Sequence, residues 1–394
     1  MKKLIVWVGL VGLVGLVGHA QSPFSLEWHG FVNPHYYADS RSVVGGREDM
    51  MLFYPKPVVL DSLGNDINDG WQVNFLAITA RLGLRITGPD MLGAKTSAYI
   101  EGDFTGSTNA AINNLRLRHA YFDLRWEHHR LLAGQYWYPM VVHEIMPMTN
   151  PLNMGAPFHC YARQPQVRYE YCLLGFEAVA VASWQLDNMS QGLLNGAPAS
   201  STLFARHSLV PELNIQLRYL TKHFLFGAAA NLKTIQPQVT TVATVLQHTG
   251  RHSSFSWSLF GRYNGPGFTV KAQALLGNSL YEGCSLGGYL MLADSTFQDW
   301  HFNTVWLDIE RARGHWRPGL FLGYAKNLDY GKHADALHVF GRGHDIEHLL
   351  RVQPRLTYKT LKGLDFTAEA EYTLAAYDDP VANLRLSLSA VYAF

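Results

Sequence analysis

The chain has 394 residues, with 32 lysines and arginines against 31 aspartates and glutamates, for a formal net charge of +1. That balance leaves no basic footprint for nucleic acid, and three cysteines, an odd number, do not make a disulfide framework. The 20 tyrosines, 20 phenylalanines and 10 tryptophans suit the interfacial girdles of a membrane β-barrel, although a large secreted sandwich also uses such a supply.

Lys2 and Lys3 open the chain, an apolar run follows from Leu4 to Val17, and Gly18-His19-Ala20 ends in a small residue. This predicts a signal peptide over residues 1–20. The alternative, an N-terminal anchor, calls for a longer apolar run. Residues 21–394 then form a single domain. Removing Lys2 and Lys3 leaves 30 basic and 31 acidic residues, a net charge of −1. No later stretch approaches the apolar length of a spanning helix, about 18 residues or more. A mean hydropathy of −0.05 still fits a barrel, because only alternate residues of each strand face lipid.

Sixteen segments read as strands, near 24–37, 72–87, 94–103, 115–126, 129–138, 163–171, 174–186, 211–220, 222–233, 252–263, 267–276, 301–310, 316–325, 348–359, 364–374 and 382–394. Many alternate apolar with polar residues. Leu364, Phe366, Ala368, Ala370 and Tyr372 oppose Asp365, Thr367, Glu369, Glu371 and Thr373. Charges facing lipid near the midplane cost about 2–4 kcal/mol for Arg or Lys, so the charged face lines a lumen. A further candidate at 283–292 makes the count odd, which single-chain bacterial barrels avoid. It is therefore assigned to a loop. Short links then alternate with long ones, the longest at 38–71, 104–114, 139–162, 187–210, 234–251, 277–300 and 326–347. The expected fold is an all-β transmembrane antiparallel barrel of sixteen strands, with long extracellular loops and at least one folded inward.

Segment 115–126 breaks phase. Arg116 and Arg118 share one parity, while Tyr121, Asp123 and Arg125 share the other. A bulge near His119-Ala120 brings both sets to the lumen. Alternatively, Arg125 snorkels at the periplasmic rim.

Lumenal basic candidates are Arg81, Arg85, Arg116, Arg118, Arg168, Arg218, Arg351, Arg355 and Arg385. The acidic ones are Glu101, Asp103, Glu170, Glu177, Asp308, Glu310, Glu369 and Glu371. Opposed charges across a narrow opening filter solutes by charge. The plainer alternative is that they brace the wall as salt bridges. Loop 139–162 is rich in proline and methionine and almost free of charge, with Val141, Val142, Ile145, Met146, Met148, Leu152, Met154 and Phe158. Such a loop folds inward or packs on another subunit rather than facing solvent. Folded inward it narrows the pore, with Glu144 and Arg163 the nearest charges. As a brace it never meets solute.

No catalytic or metal site emerges. His143-Glu144 does not continue into a zinc-protease motif, because residue 147 is proline. No spacing selects a nucleophile, base and orienter, and no cofactor is implied. Cys160 and Cys172 form one bridge or remain free thiols.

Three runs, Glu101-Gly102-Asp103-Phe104, Leu115-Arg116-Leu117-Arg118-His119-Ala120-Tyr121-Phe122 and Leu132-Ala133-Gly134-Gln135-Tyr136-Trp137, resemble the front half of the DcaP-like outer-membrane porins in their Bacteroidota branch. Asn153-Met154-Gly155-Ala156-Pro157-Phe158, Arg163-Gln164-Pro165-Gln166-Val167-Arg168 and Trp316–Tyr324 continue the likeness. The resemblance implies a sixteen-stranded passive channel, often trimeric, with inward-folded loops and an arginine-rich constriction for small anionic solutes such as dicarboxylates. Carried onto this chain, it implies Arg81, Arg116, Arg118 and Arg168 at the constriction, with Gln135 and Gln166 beside them. The N-terminal coiled coil of some lineages has no counterpart, because Phe24 follows the expected cleavage site almost at once.

The function expected is therefore an outer-membrane porin for small hydrophilic solutes, with a preference for small anions. The alternative is a structural or adhesion barrel plugged by its own loops. A third class, an outer-membrane enzyme, lacks a selected nucleophile or metal site. The pore-lining candidates are Arg81, Arg85, Glu101, Asp103, Arg116, Arg118, Gln135, Glu144, Arg163, Gln166, Arg168, Arg351 and Arg355. The partners expected are solute, outer-membrane lipid and two further copies in a homotrimer. Ala178, Ala180 and Ala182 supply a flat strip for that contact.

Overall fold

The structure, a computed structural model, describes residues 24–150, 154–239, 249–277, 279–332, 335–360 and 363–394. The expected signal peptide lies outside them, as does Leu152 of the inward loop. Among the described residues, sixteen strands form the wall. β1 runs in two pieces, Ser25–Val32 and His35–Arg41, and β2 in two, Asp69–Leu76 and Arg81–Thr87. Then come β3 Lys95–Asp103, β4 Arg116–Arg125, β5 His129–Trp137, β6 Arg163–Leu173, β7 Phe176–Ser183 and β8 Glu212–Leu220. The second half is β9 Phe224–Ile235, β10 His252–Asn264, β11 Phe268–Gly277, β12 Phe302–Arg311, β13 Trp316–Asn327, β14 His348–Lys359, β15 Leu364–Ala376 and β16 Val381–Ala393. Each strand pairs antiparallel with the next. The seam closes where His35–Asp39 of β1 pairs with Arg385–Ser389 of β16. Closure leaves no edge, so the backbone groups of the wall are satisfied within it.

Alternation sorts the side chains. Exposed outward residues include Trp28, Phe75, Ile100, Phe122, Val167, Ile215, Leu217, Trp257, Leu259, Leu386 and Leu388. Aromatic rings cluster near the short-turn end. Phe176 and Tyr219 lie 4.7 Å apart, Phe224 and Tyr263 4.8 Å, and Trp316 and Tyr358 4.7 Å, by ring centroids. This is an apolar band with an aromatic girdle, the surface a lipid bilayer selects. Among the described residues no helix is long and apolar enough to cross a membrane. The strands cross instead.

The expected bulge is present in β4. Glu101 pairs with His119 while Gly102 pairs with Leu117, so Arg118 is the extra residue. Leu117 and Phe122 stay outward, and Arg118, His119 and Asp123 are all buried inward. β5 accommodates the bulge through Gly134, whose φ is +131° and whose missing side chain leaves room for the carbonyl of Ala120. Gln135 Nε2 then donates to the carbonyls of Leu117 and Arg118, each at 3.0 Å. Arg125 is solvent-exposed at the rim and pairs with Asp123 at 2.9 Å.

The long links carry structure of their own. A hairpin of Val43–Gly46 and Met51–Pro55 folds into the barrel, with Met50, Leu52 and Phe53 buried. The candidate at 283–292 is a short non-spanning strand, Gly287–Leu292, paired with Phe297–Trp300 and Ala336–Arg342. It lies in a loop sheet, so the even strand count stands. Cys160 and Cys172 are both free. Cys160 is buried before β6 begins, while Cys172 is exposed near its far end. An extended strand advances about 3.3 Å per residue, which puts the two thiols out of bonding reach.

Candidate functional site

The lumen is asymmetric. Loop 139–162 leaves β5 and lies along the inner face of the wall from β8 to β16. Polar side chains of that wall bind its backbone. Gln216 Nε2 donates to Pro139 O at 2.7 Å, Arg262 to Glu144 O at 3.1 Å, and Lys271 Nζ to Met146 O at 2.7 Å. Met148 N–H donates to Asp308 Oδ2 at 2.8 Å, and Thr304 Oγ1 to Phe158 O at 3.0 Å. Asn150 bonds Ser387 Oγ at 2.8 Å and Ser389 Oγ at 2.7 Å. Met140, Val141, Ile145, Phe158 and Cys160 of the loop are fully buried. An apolar loop is thus seated by a polar wall that satisfies its carbonyls.

The opposite wall, β2 to β6, carries the charged cluster. Arg118 is 0% exposed, with Nε 2.6 Å from Glu101 and Nη1 2.7 Å from Asp103. Arg116 reaches Asp103 at 3.1 Å and Asp187, from the β7–β8 link, at 3.2 Å. Arg81 lies 3.6 Å from Glu101 and 4.8 Å over the Phe31 ring. Arg85 is exposed and stacks on Tyr99 at 5.6 Å. Arg163 is buried between the rings of Trp137 and Tyr161, at 4.9 and 5.2 Å. Among the described residues neither Arg85 nor Arg163 has a carboxylate within ion-pair distance.

Tyr161, in the loop, sits 3.4 Å from both Arg118 and Arg163. Burial alone raises a phenol's pKa, but the arginine cations outweigh it and pull Tyr161 down to about 7. Glu144, on the loop's inner edge, pairs with Arg218 at 3.0 Å. Burial opposes its ionisation, yet His143 and Arg218 hold it well below the usual carboxylate range. Arg168 pairs with Glu170 at 2.5 Å, and Arg130 bridges Asp123 at 2.9 Å and Glu170 at 3.2 Å.

The structure thus gathers Arg81, Glu101, Asp103, Arg116, Arg118 and Arg163 around Tyr161, with Arg168 and Glu144 in a neighbouring group. Gln135 supports the bulge, and Gln166 donates to Trp137 O at 2.8 Å at the root of the loop. Arg351 and Arg355 make their contacts elsewhere. Arg351 meets Glu371 at 3.1 Å and donates to carbonyls of two inward loops, Ala156 at 2.6 Å and Phe53 at 3.0 Å. Arg355 is held by Asp308 at 2.6 Å and Glu310 at 3.0 Å. Sequence reasoning missed Arg130, Arg262 and Lys271. The last two share parity with buried Ser258 and Gln273, so strand alternation already placed them inward.

No family model and no curated protein matches this sequence. Solved structures do match in shape. The outer-membrane channel DcaP of Acinetobacter baumannii superposes with a TM-score of 0.71 at 18% identity, over 94% of this chain and 97% of that one. This is the fold of an outer-membrane porin. OmpT of Vibrio cholerae in its trimer form gives a TM-score of 0.57 at 10% identity, over 95% and 100% of the two chains. An anion-selective porin from Comamonas acidovorans gives 0.56 at 10%, over 94% and 100%. At such identities the likeness fixes the porin fold and leaves solute and selectivity to the residues of the lumen.

Proposed function

We propose that this chain is an outer-membrane porin of a Gram-negative bacterium, exported through a cleaved signal peptide over residues 1–20. It passes small hydrophilic solutes passively. The supporting observation is the combination of a closed sixteen-stranded barrel, an apolar outer band and a charged inner wall faced by an inward loop. Arg81, Arg85 and Arg163 supply positive charge not fully matched by carboxylates, which favours small anions. The motifs around Gly134-Gln135 and Arg163–Arg168 support a place in the Bacteroidota branch of the DcaP-like porins. Exposed Ala178 and Ala180 on β7, with the trimer form of OmpT as precedent, support a homotrimer.

Purified protein in a planar bilayer should give stepwise, ohmic conductance. Its reversal potential in a KCl gradient should report anion preference that weakens with salt. A folded protein without conductance would sink the porin reading. One observation favours the alternative, a plugged structural barrel: the hairpin Val43–Pro55 and loop 139–162 both pack inside the wall. That reading predicts no solute flux in liposome-swelling assays.

A further inference from the structure

Two of the three cysteines come from different loops and meet inside the barrel. Cys160 ends loop 139–162 and is 0% exposed, and Cys284 lies in the β11–β12 link and is 8% exposed. Between them, Tyr161 N–H donates to Gly283 O at 2.6 Å. That bond ties the loop to the end of a short 3-10 turn, Tyr281–Gly283, which Cys284 closes with φ +58°, so each cysteine neighbours one member of the bonded pair. A side chain built on Gly283 would put its Cβ 3.2 Å from Cys160 Sγ and 3.5 Å from Cys160 Cβ. Cys284 is the next residue, so the two thiols lie on touching segments, and both are free in the structure. Ser285 Oγ also donates to Pro157 O at 3.1 Å, so the same two loops touch again beyond the cysteines.

We propose that Cys160 and Cys284 form a covalent modification site, joined by a disulfide in the exported protein. Both Sγ–H bonds break, one S–S bond forms, and two protons and two electrons leave. The electrons reduce the disulfide of a thiol oxidant in the periplasm to two thiols. Burial, the leading cause, raises both thiols above their ordinary range, so thiolate is scarce once the loops have packed. The bond therefore forms while the loops are still accessible, and packing then shields it from reductants. Its structural effect is to fasten the lumen-crossing loop to the link that carries the non-spanning strand. The competing account is that two small thiols merely fill space beside Tyr138 and Gly283.

The full chain, exported in a host with an intact periplasmic oxidant, would be purified from outer membranes without reductant. It would then be denatured, treated with iodoacetamide, digested and read by mass spectrometry. One alkylated cysteine, Cys172, is expected, together with a Cys160–Cys284 cross-linked peptide, and all three cysteines should be alkylated after reduction. In Cys160→Ser, the freed Cys284 should be alkylated along with Cys172. Three alkylated cysteines in the untreated protein would overturn the proposal, as would a cross-link that uses Cys172. The readout needs no solute flux, so it stands apart from the conductance test.

Discussion

Arg118 shows how one inserted residue fixes local chemistry. As the extra residue of the β4 bulge it turns inward, fully buried, against Glu101 and Asp103. Removing one partner of a buried ion network strands the others. Arg118→Ala is therefore expected to cost about 3–5 kcal/mol, read as a lower denaturant midpoint of the detergent-solubilised barrel. Arg118→Ala combined with Glu101→Gln should lose less than the two single losses added. Tyr161 offers a separate test. Its folded-state value of about 7 lies below the ordinary 10.0, so ionised Tyr161 stabilises the fold fully above pH 10. That contribution is lost as pH falls through about 7. Tyrosinate absorbance of the folded protein should show a titration near neutrality that Tyr161→Phe removes. Titration of every tyrosine near its ordinary value would defeat the assignment.

Loop 139–162 behaves as an element because the wall holds its backbone at many points. His159 is one of those points: its Nδ1 lies 2.7 Å from Gln273 Oε1, and its ring stands edge-on to Trp306 at 5.4 Å. Burial, the leading cause, lowers its pKa from 6.5 to about 4. The folded loop thus holds the neutral ring, with full stability above pH 6.5 that fades as pH falls toward about 4. Acidification through that window should loosen the loop and increase current noise in a planar bilayer. His159→Gln should flatten the dependence, and noise that rises equally in this variant would assign the effect to other groups. Much of this element was legible in advance. Its apolar, proline-rich composition signalled an inward fold, and phase breaking between Arg118 and Tyr121 signalled the bulge. The ion-pair partners were not legible. Arg116 meets Asp187, 71 positions away along the chain, and strand alternation gives facing but not height. The hairpin Val43–Pro55 falls within the long link 38–71, and nothing local in that link says which cavity receives it.

At the scale of the whole barrel, the positive side chains with incomplete pairing set the expected field. Arg81→Ala with Arg85→Ala should shift the reversal potential toward cations while leaving the fold intact, because Arg85 is exposed and Arg81 makes a long 3.6 Å contact to Glu101 and a ring contact to Phe31. Unchanged selectivity would move the filter elsewhere in the lumen. Native mass spectrometry in mild detergent should show three chains, and a persistent monomer across detergents would count against the trimer. The strand count followed from link-length alternation, which the chain displays plainly. The paired interruptions of the first two strands did not, because segments 24–37 and 72–87 read as continuous strands, although Asn33-Pro34 is itself a break signal. β1 breaks at Asn33-Pro34 and β2 between Leu76 and Arg81, and the register places both gaps at the same height. There a side-chain bond from Asn33 Nδ2 to Thr79 Oγ1, 3.0 Å, takes the place of ladder rungs. Outside, Pro34, Tyr36 and Phe75 border a lipid-facing hollow of about 730 Å³. A tube whose rungs are missing along one short line bends there first. Lateral tension in the bilayer would therefore flatten this barrel along a fixed crease rather than evenly. Because Arg81 begins the lower piece of β2, that mechanical compliance acts on the side of the lumen where the charged cluster stands.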